Sequence, residues 1–498
     1  MSVIRFGEWL PDQQSLDSAG ATEAKNVLPG VSSYLPMPSS SPITDAITVR
    51  ARGAIAAKDK SGVVYGYVGN ETKLYSIGSS SHTDVTNTGG AYALSTAENW
   101  NFVKWGEKIL ATCIDEPLQS VTMGGANFAD VSGSPPKARF ISVIGQFVTL
   151  ANLDDGTAKP QTVRWSAIDD ETDWAASQDT QSDSQLLNSN EKNGGGHIMG
   201  ITGGSEYGII FQEYSIWRMT YVGTPTIFQF DEILPGVGTP CKNSITQEGR
   251  MIHFLGQDGF YQLIDGAQPK KIGDQKCDKW FLSDYDSGYP ERVIGASDPN
   301  SSTVIWIYPD SGGNGSPNKY IAYNWYIDKW THGEIDLEWI YSAISSGYTL
   351  EELDNINASI DDLGISLDSK ELKGGQLQFA TYGIDHKKGS LAGPALSAIL
   401  ETAEFQFSQL GDQPQDTRTL ISSVRPIVDG GASQTVQIGT RSLQSDSVSW
   451  SASETPNSET GLVHPRSDAR YHRTRVNLVG DFNHAIGADV IGQISGSR

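Results

Sequence analysis

The chain has 498 residues, 38% of them apolar, with 53 Gly, 22 Pro, 12 Trp and 19 Tyr, a profile of many turns and aromatic-rich strands and few long helices. Its formal charge of −23 is spread along the sequence and excludes bulk adhesion to nucleic acid or anionic membrane. Cys113, Cys241 and Cys277 form no C-x-x-C pair, which argues against a disulfide framework or a zinc site, and no apolar run reaches the roughly 18 residues of a membrane span. The expectation is a soluble all-β protein with buried thiols, no export signal, no membrane partner and no cofactor.

Residues 1–50 carry PDQQ, LPGV and LPMPSSSP and too few apolar positions for a core of their own. They read as an extended N-terminal arm lying on a platform or a neighbour, because Phe6, Trp9 and Tyr34 would otherwise be exposed.

From about residue 63 a rhythm sets in. VVYGYVGNETKLYSIG has Gly69-Asn70 as positive-φ turn residues between two alternating runs. MIHFLGQDGFYQLIDG repeats the pattern, with Asp258-Gly259 folding 252–255 onto 260–264 and Asp265-Gly266 closing the next corner. KYIAYNWYIDKWTHGEI and GQLQFATYGIDHKKGSL look like later copies. Strand-end aromatics at Trp165, Trp217, Tyr261, Tyr323 and Phe379 lie 52, 44, 62 and 56 residues apart, with Tyr75 upstream. Four-stranded propeller blades recur every ~40–50 residues, so 51–390 is expected to hold six or seven blades, with insertion loops at 176–196, 308–320 and 348–369.

Residues 391–498 are expected to form a β-sandwich platform domain together with the N-terminal arm. They hold eight Arg, no Lys and eleven acids, which leaves about −20 of the net charge to residues 1–390. Arg466, Arg470, His472, Arg473 and Arg475 crowd into HPRSDARYHRTR, and arginine in place of lysine suits fixed bidentate pairing at an interface. With Phe6, Trp9 and Tyr34 they are the candidate subunit or adaptor contacts.

For chemistry, the segment VRWSAIDDETDW (163–174) stands out. Four carboxylates between two tryptophans supply the residue types of a glycosidase with an aromatic platform. The structural reading is a strand over 163–166, a turn organised by Asp169 and Asp170, and Trp174 as an apolar plug before a polar loop that joins two blades. His253 reads as a strand residue facing away from Ile252 and Phe254, and His472 as a hydrogen-bonded strand histidine. No nucleophile elbow, phosphate loop or metal-binding helix motif occurs.

Six pieces in one order carry a resemblance: the opening IRFGEWLPDQQSLDSAGATEAKNVLPGVSSYLPMP, VRWSAIDDETDW, GGHIMGITGGSEYGIIFQEYSIWRM, FLGQDGFYQL, LDNINASIDDLGISLDS and ARYHRTRVNLVGDFNHAIGADVIGQISGSR. Together the chain resembles the tail nozzle proteins of short-tailed phages, also called phage stabilisation or tail tubular proteins. The resemblance implies a structural virion protein assembled in the host cytoplasm, hexameric, below the adaptor ring and beside fibre, spike or needle proteins. It also implies a propeller-like middle, a platform built from both chain ends, and a role in closing the DNA channel and opening it for ejection, with no catalytic residues. The competing expectation is a receptor- or glycan-binding tail protein using the 176–196 and 308–320 loops.

Overall fold

The computed structural model describes residues 2–15, 18–344, 375–406 and 417–496, and the expected insertion at 348–369 lies outside them. Its repeating unit is built from hairpins. Met251–Gly256 and Gly259–Ile264 pair antiparallel around Gln257-Asp258, with Gly256 opposite Gly259. Gly259 sits at φ +136, open only to glycine, and Phe254 stacks on its cross-strand partner Tyr261 at 5.4 Å. Asp265 and Gly266 both adopt left-handed φ at the next corner, as their residue types predict. At Gly69-Asn70 neither residue has positive φ; the turn runs through 70–73, and the Asn70 side chain accepts from the Thr72 and Lys73 amides at 2.9 and 2.8 Å. Gly69 is needed for another reason: a Cβ there would stand 2.2 Å from the Trp100 ring.

Seven such four-stranded sheets follow one another, with strands in simple sequence order in the first six. Their first strands are Ala54–Lys58, Asn101–Trp105, Lys137–Ile144, Ile198–Thr202, Thr246–Glu248, Ile294–Asp298 and Leu337–Ile344. Each packs against the next, or against the turn leading into it, and Leu337–Ile344 packs back on Ala54–Lys58, so the ring closes as a seven-bladed β-propeller. Tyr75, Trp165, Trp217, Tyr261 and Tyr323 all fall on third strands, which is why their spacing reveals the repeat; Phe379 falls on a second strand.

The seventh blade takes Leu337–Ile344, Leu377–Gly383 and Lys387–Ser390 from the C-terminal side and its outermost strand, Ser41–Ala46, from the N-terminal side. Asp45 on that strand accepts from the His82 backbone and imidazole Nδ1 at 2.9 and 2.8 Å, and His82 Nε2 meets the Tyr382 hydroxyl at 3.0 Å. His82 of the first blade is thus held by both the closing strand and the second strand of the seventh blade.

The remaining strands form a two-sheet sandwich. One sheet continues outward from blade six through a parallel contact of Lys25 with His332, in the order Glu23–Lys25, Ala398–Glu401, Tyr471–Val479, Ser433–Arg441, Ser449–Trp450. The other runs Val27–Pro29, Tyr34–Pro36, Phe482–Gly496, Arg418–Gly430, Ser467–Ala469, with Ser2–Arg5 also paired on Phe482–Gly496. Val436, Ile438 and Val476 belong to the same buried core as Val424, Ala488 and Val490, and this core runs on into Phe260, Trp306 and Trp330 of blades five and six. The arm is therefore built into the fold: Ser2–Arg5, Glu23–Lys25, Val27–Pro29 and Tyr34–Pro36 are platform strands and Ser41–Ala46 is a blade strand.

His253 does face away from Ile252 and Phe254, but that side is filled by the next blade. Its ring lies 6.5 and 6.0 Å from those of Trp306 and Tyr323, and burial pushes its pKa down to about 4. His472 is lowered to about 4 mainly by burial as well. Both stay neutral in the folded chain and take up a proton near pH 6.5 when it unfolds, so the stability they contribute is present above that pH and is lost as pH falls towards 4. Urea denaturation at pH 7 and pH 5 is expected to show a loss of about 1–2 kcal/mol per histidine. His253→Gln should remove one such share of the pH dependence, and an unchanged slope contradicts the assignment.

Candidate functional site

The carboxylate-rich segment resolves into a turn. The strand Ala158–Trp165 ends at the indole of Trp165, and Asp169 takes left-handed φ (+55) with its amide donating to the Gln146 carbonyl at 2.9 Å. Asp170 accepts from the Thr172 amide and hydroxyl at 2.8 and 2.6 Å, and Asp173 from the Ala175 amide at 3.0 Å. Trp174 is buried, its indole donating to the Glu171 carbonyl at 2.8 Å. The following loop does not join two blades: 175–182 leads to Asp183–Leu186, the fourth strand of the same blade, so part of the expected 176–196 insertion is regular sheet.

An open cleft of about 420 Å³ beside this turn is lined by Trp105, Glu107, Lys108, Asp169 and Glu171. It has the residue types of a sugar site but the wrong electrostatics. Burial raises the Glu171 carboxyl, yet the Lys108 ammonium and the Trp105 indole, which donates at 2.9 Å, outweigh it and hold the group below the usual carboxylate range. Asp170 is held low by Thr172. A glycosidic general acid needs the opposite shift.

The arginine-rich strand Tyr471–Val479 is committed inside the chain. Arg475 donates to Glu401 Oε1 through Nε and a terminal nitrogen at 2.6 and 2.5 Å, while its guanidinium lies 3.8 Å over the Trp450 ring. The Glu404 side chain is 1% exposed and receives a bidentate pair from Arg441 at 2.7 and 2.5 Å, with Arg473 Nε at 3.6 Å. Arg473 also donates to Ser15 Oγ at 2.9 Å, and Thr22 Oγ1 donates to Glu401 at 3.1 Å. His472 is buried, with Nε2 3.1 Å from the Ala469 carbonyl.

The expected bidentate arginine pairing is thus present, but it joins the C-terminal strands to one another and to the N-terminal segment, leaving His472, Arg473 and Arg475 little to offer a second subunit. The aromatics are withdrawn too. Phe6 and Tyr34 are core residues, Tyr34 donating to the Gly7 carbonyl at 2.7 Å, and Trp9 stacks on His332 at 4.5 Å with Trp280 edge-on at 4.9 Å. Of the candidates, Arg466 is exposed and Arg470 half-buried.

Sequence reading missed Arg5 and Arg425. Val3 and Arg425 both pair with Asp489 across Phe482–Gly496, so Val3, Arg5 and Arg425 share the outer face of the second platform sheet, and all three are exposed. The period-2 pattern of SVIR holds the signal for Arg5, but nothing in the sequence pairs it with a strand more than 480 residues away.

No protein-family model matches the chain, and no curated protein does. Among solved structures, the extracellular domain of the hybrid two-component system BT4673 from B. thetaiotaomicron is 11% identical at a TM-score of 0.41 over 83% of this chain and 48% of that one. The chain therefore spans about half the length of that protein. U3-55K is 5% identical at 0.38, covering 61% and 89%, and the Neurospora crassa Pan2 WD40 domain 8% identical at 0.36, covering 69% and 89%. Likenesses this slight carry no argument about function; the propeller rests on its own strand order.

Arg441→Met leaves a buried Glu404 without its bidentate partner and is expected to cost about 3 kcal/mol, read by urea denaturation. Trp174→Ala should cost about 3–5 kcal/mol. Asp170→Asn keeps the accepting oxygen and should stay within about 0.5 kcal/mol of the parent; a large loss there would mean that the negative charge itself matters.

Proposed function

We propose that this chain is a structural subunit of a short-tailed phage tail, of the nozzle type, assembling in the host cytoplasm into a ring that closes the DNA channel and opens for genome ejection. The observation that carries the reading is the joint construction of the platform: the strands Ser2–Arg5, Glu23–Lys25, Val27–Pro29 and Tyr34–Pro36 are knitted with Ala398–Glu401, Arg418–Gly430, Ser433–Arg441, Tyr471–Val479 and Phe482–Gly496 into one sandwich beside a closed propeller. That is the arrangement the resemblance to nozzle proteins implies.

The charge supports it. A chain of net −23 repels phosphates and releases no counterions, so DNA passes an acidic wall without adhering in a salt-dependent way. The outer platform face, with Arg5, Arg425 and Arg466 exposed, takes over as the adaptor-facing surface from the internally paired Arg473 and Arg475.

Electron microscopy of the purified protein and of virions should show a six-fold ring on the tail axis. The pair Arg425→Glu and Arg466→Glu should leave thermal stability within about 1 kcal/mol of the parent and abolish docking to the adaptor. A persistent monomer that binds or degrades cell-surface polysaccharide would overturn the reading in favour of a receptor-binding tail protein. Normal docking by the doubly reversed chain would overturn the assignment of the surface.

A further inference from the structure

Buried polar groups normally find a partner, so a cluster that does not is informative. Such a cluster lies at one mouth of the propeller axis. Both terminal nitrogens of Arg50, Nε of Arg52, Nε of Arg292, and the amide nitrogen and oxygen of Asn99 are buried without a hydrogen-bond partner among the described residues. Arg50 and Arg52 lead into the first strand of blade one, Asn99 into that of blade two, and Arg292 into that of blade six. All first strands run in the same sense along the axis, so these residues lie at the same end. Hydrogen bonds cross the ring at this end, from Lys242 before blade five to the Ala97 carbonyl before blade two at 2.5 Å and from Asn243 to the Glu291 carbonyl before blade six at 2.7 Å, which places the meeting point near the axis.

The carboxylates that face this mouth are spoken for. Glu98 pairs with Arg139 at 2.9 Å and with Lys242 at 3.1 Å, and Glu71 with Arg52 at 2.8 Å. Glu338 accepts from the Ala51 amide at 3.4 Å and pairs with His386 at 2.8 Å. Glu291 lies 3.5 Å from Nε of Arg292, its chain neighbour, in a contact that makes no hydrogen bond there. What is left over is mostly donors: four guanidinium nitrogens and an amide nitrogen against one amide oxygen. Burial, then the neighbouring Arg292 and Arg52, pushes Arg50 down to about 9. Arg52 and Arg292 keep Glu71 and Glu291 beside them, so Arg50, both of whose terminal nitrogens lack a partner among the described residues, is the buried cation left without a paired carboxylate.

We propose that the axial mouth binds a small oxyanion of the phosphate or carboxylate class, gripped by the planar fork of Arg50 with Arg52, Arg292 and the Asn99 amide completing its ligands. A guanidinium fork matches two oxygens of such an anion. Water offers acceptor lone pairs but leaves the cation repulsion in place. Arg50 and Arg292 are each partly exposed, so the site lies at the edge of solvent. The site is independent of the tail assignment and stands or falls apart from it.

Titration calorimetry of the full chain with inorganic phosphate, sulfate or acetate, in chloride buffer of matched ionic strength, tests it. Saturable binding of at least one of the three at one site per chain is expected, weakened on the order of tenfold to a hundredfold in Arg50→Met and unchanged in Arg425→Met on the distant platform. No saturable binding of any of the three, or equal binding by Arg50→Met, overturns the proposal. Should Arg50→Met fail to fold, crystals of the parent chain soaked in selenate decide: an anomalous peak between Arg50 and Arg292 is expected, and its absence overturns the site.

Discussion

The structure depends on closing a ring of sheets whose last member lacks an outer strand. Blade seven has three strands from the C-terminal side and is completed only when Ser41–Ala46 pairs antiparallel with Lys387–Ser390. An open ring would leave two blade faces and a strand edge in water, which sheet proteins avoid. Everything N-terminal to that strand must then sit close to blades six and seven, and there it becomes the platform. Glu23–Lys25 extends blade six outward, and the same buried core runs from Phe260 and Trp306 to Val476 and Val490 without a break. Platform and propeller are one folding problem.

Charge is used in two ways in this fold. Acids at turns organise backbone: Asp170 and Asp173 accept amides two residues on, and Asp12 accepts the Lys279 and Trp280 amides at 2.8 Å at the start of the helix Asp278–Asp284. Arginines in the platform instead act as fasteners. Arg441 and Arg475 each present a planar fork to a nearly buried carboxylate, a geometry lysine cannot reproduce. The contrast accounts for arginine at these two positions of the final block.

The local parts of this architecture were legible in the sequence. Asp258-Gly259 with alternating flanks defined a hairpin, and the third-strand aromatics spaced the blades, because both signals arise within a few residues of one another. Pairings across the whole chain were not legible. Ser41–Ala46 sits in a Ser- and Pro-rich stretch that reads as part of an extended arm, and its partner lies some 340 residues on. Phe6, Trp9 and Tyr34 were recognisable as residues needing cover, and Arg473 and Arg475 as residues needing fixed partners. In each case the partner came from elsewhere in the same chain, Trp280 and His332 for Trp9 and Ser15 and Glu404 for Arg473, which composition cannot distinguish from a neighbour. The loop after Trp174 went wrong for a similar reason: Asp183–Leu186 is polar and outermost, so it lacks the apolar alternation that marks an inner strand.

The pairing of Ser2–Arg5 with Phe482–Gly496 has a consequence for biosynthesis. A ribosome adding about 5–20 residues per second releases the first strand well before the strand it pairs with exists. Blades can form in order as they emerge, and Trp9 finds Trp280 and His332 with the later blades, but Phe6 and Tyr34 remain uncovered until Phe482–Gly496 leaves the exit tunnel. The nascent chain carries an adhesive segment through the synthesis of all seven blades, and only the arrival of Phe482–Gly496 shields it.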